Sequence, residues 1–199
     1  MVDEYFKVIR GGLNSTFQDE GREGFYHIGL PFSGAMDNRN YLIANKLNNN
    51  NNNEAVLEFA YQGPLLKYFG KKRNVVITGN VNFKIIKKDK SIYNGECYRT
   101  IEINDGDKID ILSTNSSVYG YFSVNGGFKL KKVWHSFSTT IRAQVGPNNG
   151  QKLIDGQEIK LKEGNSSTKK NLDYIDSKIE FIRVIKGTNF NYFSEQSIK

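Results

Sequence analysis

The sequence has little of what secreted and membrane proteins depend on. Its one cysteine, Cys97, excludes a disulfide within the chain and agrees with a reducing compartment. No stretch approaches the roughly 20 apolar residues of a membrane span, and the opening MVDEYFKVIR lacks the apolar core of a signal peptide. We therefore expect a cytoplasmic protein with no membrane partner. Nothing near Cys97 resembles the paired base of a catalytic thiol.

The positive charge of the chain is spread over several lysine clusters. The formal net charge is +7, with clusters at 71–73, 84–90, 129–132 and 160–170. These clusters fall at predicted strand ends and turns, and no aromatic-interleaved RNA-recognition motif accompanies them. A solvated, lysine-rich surface is therefore favoured over a nucleic-acid interface.

Alternation with a period of two dominates the chain beyond residue 55. It runs through AVLEFAYQGPLLKYF, NVVITGNVNFKIIKKDKSI and YRTIEINDGDKIDILSTNSSVYGYFSVNGGF. Turn residues separate the strands of each piece, at 62–64, 78–80, 105–106 and 125–127. Short, regularly spaced strands with almost no helix between them favour an antiparallel barrel or sandwich.

One helix is predicted before these strands. It begins after Ser33 or Asp37, either of which can serve as N-cap. Its apolar face is predicted to contain Met36, Ile43 and Leu47. It ends at the six asparagines 48–53, which we interpret as an exposed loop because asparagine continues a helix poorly.

The composition divides the chain into three segments. Residues 1–162 are predicted to form the first domain, and the polar stretch 163–178 a linker. A new strand is expected at Ile179, so that residues 179–199 would open an incomplete second domain.

The densest chemistry lies in QDEGREGFYHIGLPFSGAMD, residues 18–37. Arg22 could bind a carboxylate or phosphate with its planar set of donors. Asp19 could orient that arginine or act as a base. The amides around Ser33 and Gly34 could form an anion-binding nest at the helix start.

Structural roles compete with each of these interpretations. Asp37 is most simply the N-cap of the helix. His27, between Tyr26 and Ile28, is more typical of a packed structural histidine than of a catalytic one. Asp19 and Arg22 could form a purely structural ion pair. The residues alone therefore indicate a ligand site and name no reaction.

The stretch FQDEGREGFYHIGLPFSGAMD resembles the signature of the KipA or allophanate hydrolase subunit 2 family. These are biotin-dependent carboxyltransferase-like proteins that include the third subunit of bacterial 5-oxoprolinase. Similar segments follow in the family's order: ANKLNNN, AVLEFAYQGP, FSVNGGF, HSFSTTIRA, DGQEIKL and IRVIKGTNFNYF. The resemblance implies a cyclophilin-like antiparallel β-barrel with one short helix, followed by the start of a truncated second barrel.

The resemblance also implies a function in a complex. The leading expectation is a subunit of an ATP-dependent hydrolase that converts 5-oxoproline to glutamate, with a KipI-like sister subunit and ATP used at the level of the complex. One alternative is a carboxyltransferase component that acts on a urea-like substrate, with biotin only on a partner chain. The other is a KipI-binding partner without catalysis. In each enzymatic case the substrate is a small amide or carboxylate.

Eight site residues follow from the resemblance, and no metal site. Catalytic roles are expected for Asp19, Arg22 and Glu58. Substrate binding is expected for Gln18, Ser33, Gly34, Asp37 and Asn45. Two positions depart from the family pattern, because Phe137 and Gln151 stand where the family has arginine.

Overall fold

The secondary structure is taken from a computed structural model that describes residues 3–165, 168–173, 180–181 and 183–198. Eleven strands and two α-helices form in these residues, in the order β1 (Tyr5–Arg10), β2 (Ser15–Gln18), α1 (Asn38–Leu47), β3 (Val56–Ala60), β4 (Leu65–Phe69), β5 (Arg73–Thr78), β6 (Val81–Ile86), β7 (Ile92–Asn94), β8 (Ile101–Ile103), β9 (Lys108–Thr114), β10 (Tyr119–Val124), β11 (Glu158–Lys160) and α2 (Glu195–Ile198). Single 3-10 turns lie at Tyr26–Ile28, Ile141–Ala143, Asn148–Gly150 and Phe190–Tyr192. The predicted mostly β fold is confirmed.

The strands form two antiparallel sheets. The first has the order β11-β1-β4-β9-β6-β7, and the second has the order β2-β3-β10-β5-β8. Strands that follow one another in sequence often change sheet, as β3 and β4 do, and β5 and β6. The turns at 62–64 and 78–80 therefore connect the two sheets, whereas the turn between β6 and β7 closes a hairpin within the first sheet.

Side chains from both sheets form one buried core. The rings of Phe6 in β1 and Phe122 in β10 meet edge to face with centroids 5.5 Å apart, which joins the sheets directly. The outer face of the second sheet is covered by α1, whose Tyr41, Ala44 and Leu47 pack with Tyr121. Because side chains alternate along β10, Tyr121 faces the helix while Phe122 faces the core.

The helix begins where Asp37 was expected to cap it. The Asp37 carboxylate accepts a hydrogen bond from the amide of Asn40 at 3.0 Å. The prediction for Met36 is wrong, since this residue precedes the helix and is 67% exposed. The buried helical residues are Tyr41, Ala44, Asn45 and Leu47.

The prediction of an exposed asparagine loop after α1 is wrong for two of its six residues. Asn48 and Asn50 are buried. The Asn50 amide donates to the Val124 carbonyl oxygen at 2.8 Å, and its own oxygen accepts from the Gly126 amide at 2.8 Å. The Asn125 side chain returns a hydrogen bond to the Asn48 carbonyl at 2.7 Å. Amide side chains here satisfy buried backbone groups at the end of β10, a pairing that composition cannot reveal.

This network predicts unequal effects within the asparagine run. Asn50→Ala should lower the free energy of unfolding by about 1 to 3 kcal/mol, because it leaves the buried Gly126 amide without a partner and removes one of the two hydrogen bonds that the Val124 carbonyl accepts. The exposed Asn53 is the matched control, and Asn53→Ala should change stability by less than about 0.5 kcal/mol. Urea denaturation measures both, and equal effects of the two substitutions would show that the network does not stabilise the fold.

The expected linker and second domain fall partly outside the described residues. Within residues 163–178, Lys170 and Leu172 pair with the chain beside β8, through Thr100 N to Lys170 O at 2.9 Å and Leu172 N to Tyr98 O at 2.9 Å. Ile179 and Ile182 lie outside the described ranges, and the described residues from 180 to 194 form no strand. The division into domains therefore stays a prediction. Neither helix in the described ranges is long and apolar enough to cross a membrane.

Candidate functional site

Asp19 ties the loop after β2 to the segment Ser136–Ser138. Its buried carboxylate accepts hydrogen bonds from the Ser136 hydroxyl at 2.6 Å and the Ser138 hydroxyl at 2.5 Å. It also accepts from the amides of Phe137 at 2.6 Å and Gly21 at 2.9 Å. Four donors occupy this carboxylate, which therefore joins two loops in this structure, and its catalytic role stays a prediction.

Arg22 is the largest fully buried side chain in the described part of the protein. Nη2 donates to the carbonyl oxygen of Ser138, and Nη1 donates to the Thr140 hydroxyl at 3.1 Å. Nε is buried without a hydrogen-bond partner. No carboxylate in the described residues lies within 4.0 Å, so the direct ion pair with Asp19, one of the two alternatives, is not formed.

The burial of Arg22 without a nearby carboxylate affects the pKa of its guanidinium group. Burial lowers the pKa of the guanidinium, and the negative charge of Asp19 opposes that shift from a distance. Arginine nevertheless stays protonated in proteins. The site therefore contains a buried cation that the protein only partly compensates, an arrangement that favours an additional anion nearby.

A chain of two hydroxyl groups, those of Thr140 and Ser33, begins at this cation. The Thr140 oxygen that accepts from Arg22 lies 2.5 Å from the Ser33 oxygen, and both residues are only half-buried. Among the described residues, the amides of Ser33 and Gly34 donate to no acceptor. We define the anion site as these two hydroxyls and two amides, with Arg22 behind them.

The backbone at the anion site demands glycine at position 34. Its φ is +93°, and a Cβ there would lie 3.0 Å from the Glu20 carbonyl oxygen. Ser33, although not glycine, also has a positive φ of 59°. Backbone held in this sparsely populated region is common at ligand sites. The sequence prediction of an anion nest at Ser33 and Gly34 is compatible with this geometry.

Glu58 lies beside the start of α1. One of its oxygens accepts from the Met36 amide at 2.7 Å and from the Tyr121 hydroxyl at 2.8 Å. Tyr121 in turn accepts from the Asp37 amide at 2.7 Å. Burial raises the pKa of Glu58, while the hydrogen bonds from Met36 and Tyr121 lower it and the charge of Asp37 raises it further. This carboxyl group therefore takes up a proton more readily than an exposed glutamate does.

The raised pKa of Glu58 predicts a pH-dependent stability difference. Between the ordinary glutamate value of 4.5 and its higher folded value, the native state holds more protons than the unfolded state, so stability falls as pH rises. Glu58→Gln removes this titration, and the variant should gain stability relative to wild type as pH rises from 4.5. Urea denaturation between about pH 4 and 8 measures the difference. Glu158→Gln, at an exposed position, is the charge-matched control, and an identical pH profile for the two variants would contradict the account of Glu58.

The remaining predicted site residues serve the protein internally in this structure. Gln18 is buried, and its amide nitrogen donates to the Thr16 hydroxyl at 2.9 Å and the Thr139 carbonyl at 3.0 Å, while its oxygen is unpartnered. Asn45 is fully buried and donates to the Glu54 carbonyl at 2.8 Å. Asp37 is occupied as the helix cap. Substrate binding by these three stays a prediction.

The structure corrects the interpretation of His27 and places the two residues that depart from the family pattern, Phe137 and Gln151. His27 is exposed in a 3-10 turn, so its interpretation as a packed histidine is wrong. Phe137 faces the core, where the ammonium groups of Lys132 and Lys162 lie 5.1 Å and 5.4 Å from its ring centre. Gln151 is exposed, and its amide donates to the Asn148 carbonyl at 3.0 Å.

Sequence reasoning missed four residues that build the site. These are Tyr121, Ser136, Ser138 and Thr140. Three of them belong to HSFSTTIRA, a segment noted for its resemblance to a family loop, so a signal existed. Ser138 lies 119 positions from Asp19 and 116 positions from Arg22 in the sequence, so no local sequence pattern indicates that they are hydrogen-bonded. In the described residues, no group of three or more His, Cys, Asp or Glu side chains could hold a metal ion.

A family sequence model and individual relatives both match this chain, and they indicate the same family. The sequence model of the carboxyltransferase domain, subdomain A and B, matches residues 28–199. The chain is 30% identical over 145 residues to a 5-oxoprolinase subunit of Haemophilus influenzae, a match that covers 73% of this chain and 45% of that protein. It is 29% identical over 159 residues to urea amidolyase of Lachancea kluyveri, covering 79% of this chain and 8% of that protein.

A solved structure also matches the fold. The crystal structure of Kluyveromyces lactis urea carboxylase superimposes with a TM-score of 0.73 at 28% identity, over 79% of this chain and 14% of that one. The chain thus spans less than half the length of the two curated relatives described.

Proposed function

The chain belongs to the family of carboxyltransferase domains, subdomains A and B, and from this membership we propose that it is part of an ATP-dependent 5-oxoprolinase-type hydrolase. In this proposal it acts with a KipI-like sister subunit and further chains, and the complex converts 5-oxoproline to glutamate. The name of the Haemophilus influenzae relative supports the reaction. The chain would contribute one wall of the active site.

The observation that carries the proposal is the anion site in front of Arg22. Opening the 5-oxoproline ring requires binding a carboxylate and stabilising negative charge that develops on the amide oxygen. Two hydroxyls and two unpaired amides backed by a buried cation can accommodate such an oxygen without reorganisation. Arg22 would act through Thr140 rather than touch the substrate, because its Nη atoms are already engaged.

Glu58 would supply proton transfer in this scheme. Its second carboxyl oxygen accepts no hydrogen bond among the described residues, and its raised pKa brings it nearer to neutral pH. Asp19 would position the segment Ser136–Ser138 and thereby Arg22. The catalytic role first expected for Asp19 becomes a positioning role.

Carboxyl transfer to a urea-like amide is the second candidate. The similarity to urea amidolyase and to urea carboxylase favours it. Its substrate presents an amide carbonyl oxygen and its product a carboxylate, and the anion site could bind the latter. The sequence contains no biotin-attachment motif and no GxxxxGK[ST] phosphate loop. In either reaction, biotin or ATP chemistry would therefore depend on partner chains or on an atypical site.

Reconstitution with the sister subunits tests the proposal. We expect glutamate release from 5-oxoproline that requires ATP and falls at least about 10-fold in the double variant Ser33→Ala and Thr140→Val. A parallel assay follows carboxylation of urea by a carboxybiotin donor. Urea carboxylation without glutamate release would replace the first candidate by the second. A stable complex without either activity would leave only a binding role.

A further inference from the structure

A second concentration of positive charge lies in a cleft of about 940 Å³ formed by the start of β1, the turn between β4 and β5, and the chain after β11. Six basic residues line this cleft: Lys71, Lys72, Arg73, Lys129, Lys162 and Lys169. None of them belongs to the anion site. We call this region the basic cleft, and its role is inferred independently of the proposed function.

The acidic residues of the basic cleft are mostly engaged already. Asp3 pairs with Lys160 at 2.7 Å, Glu4 with Arg73 at 3.1 Å, and Glu102 with Lys72 at 2.7 Å. Glu163, the fourth acidic lining residue, forms no ion pair with any described residue.

Three unpaired lysines outnumber this one free carboxylate. Lys162 is neutralised by Glu54, which lies outside the cleft, at 2.7 Å. The ammonium groups of Lys71, Lys129 and Lys169 form no ion pair with any described residue. Because these three charges come from three separate segments that face one concave space, their potentials add there.

One wall of the basic cleft is buried and hydrogen-bonded. Arg73 has only 4% of its side chain exposed and donates to the carbonyl oxygens of Asn125 at 3.0 Å and Lys162 at 2.8 Å. Gly126 lies so close to the opposite wall that a Cβ there would be 2.2 Å from the Glu163 carbonyl oxygen. The wall around Arg73 is thus ordered before any ligand arrives, which lowers the entropic cost of binding.

The chemistry of the lining indicates the ligand. Among the described lining residues, Leu161 is the only aliphatic one, so the cleft recognises charge rather than an apolar body. Lysine ammonium groups bind phosphate oxygens as point charges, and three of them call for a ligand with several neighbouring anionic groups. We propose that the basic cleft is a binding site for an oligophosphate group, either a free oligophosphate or the phosphate chain of a nucleotide.

Isothermal titration calorimetry of the full chain with inorganic triphosphate tests this site, at about 50 mM salt, where screening is weak. The variant Lys71→Gln, Lys129→Gln and Lys169→Gln should weaken binding at least about tenfold. The charge-matched control Lys7→Gln, Lys84→Gln and Lys90→Gln changes three exposed lysines elsewhere and should weaken binding less than about twofold. Thermal unfolding verifies that both variants remain folded.

The outcomes separate the two sources of the phosphate chain from nonspecific attraction. ATP is titrated in a second arm. If ATP binds and its affinity depends on the same cleft lysines, the ligand is the phosphate chain of a nucleotide. If only triphosphate binds, the ligand is a free oligophosphate. Equal weakening in both triple variants would mean nonspecific attraction to a basic protein and would overturn the proposal. Absence of binding by wild type at millimolar triphosphate would overturn it as well.

Discussion

Arg22→Met is expected to lower kcat/KM for 5-oxoproline hydrolysis by the reconstituted complex about 100-fold or more. The substitution removes the cation behind the Ser33 and Thr140 hydroxyls while keeping a side chain of similar length. The free energy of unfolding, in contrast, should change little in this variant. The buried guanidinium has no carboxylate partner among the described residues and one unpartnered nitrogen, so its removal relieves the cost of burying a charge. This gain offsets the cost of leaving the Ser138 carbonyl without its donor, and the free energy of unfolding should change by no more than about 1 kcal/mol.

Arg73→Met provides the contrast for the stability arm. Arg73 is also buried, but it bonds two backbone carbonyls and pairs with Glu4 at 3.1 Å. Its replacement should cost about 3 to 5 kcal/mol, because two carbonyls lose their donor and the partly buried Glu4 carboxylate loses its cation and keeps only the Tyr68 hydroxyl. Chemical denaturation compares the two variants. A loss of stability in Arg22→Met as large as in Arg73→Met, with catalysis intact, would make Arg22 a structural residue.

Asp19→Ala is expected to be the most destabilising single change in the site, at about 3 to 5 kcal/mol. It would leave two buried hydroxyls and two amides, from Ser136, Ser138, Phe137 and Gly21, without an acceptor. Urea denaturation gives the magnitude. The stability of Asp19→Asn should lie between those of wild type and Asp19→Ala. The asparagine side chain keeps one oxygen that can accept hydrogen bonds, but its NH2 group replaces the other oxygen and faces groups that are themselves donors.

Asp37→Ala is the natural comparison for Asp19→Ala. It removes an aspartate from the same loop, yet it removes only the cap of α1 and should cost about 1 kcal/mol. If the two substitutions cost the same, Asp19 does not hold the loop against Ser136–Ser138 as the hydrogen bonds indicate.

Local patterns were sufficient to predict much of the fold. Alternation with a period of two identified the strands, and capping chemistry limited the start of α1 to Ser33 or Asp37, of which Asp37 is the cap. The assignment of strands to sheets was not predictable in the same way. The turn at 62–64 connects different sheets, and nothing in Gln-Gly-Pro distinguishes a turn between sheets from a hairpin. The burial of Asn48 and Asn50 likewise depends on partners near residue 124 that are distant in sequence.

The sequence predicted the location of the candidate site more accurately than the roles of its individual residues. The loop 18–37 does contain Arg22, Ser33 and Gly34 of the anion site. The second half of the site comes from Thr140 and Ser138, which are joined to it only by hydrogen bonds across the fold. The residue type alone could not predict the role of Arg22. The planar set of donors in arginine favours direct ligand binding, which is what the sequence analysis predicted. Its complete burial is a tertiary property that assigns it to a place behind Thr140.

The central claim is that Ser33, Gly34 and Thr140 bind an anionic oxygen with Arg22 behind them. A titration of the isotope-labelled chain with 5-oxoproline, followed by amide chemical shifts in NMR spectra, tests it most directly. The account predicts saturable shifts at Ser33, Gly34 and Thr140 in wild type and their loss in Arg22→Met, with the amides of the basic cleft unchanged. Shifts confined to other regions, or equal shifts in Arg22→Met, would contradict it.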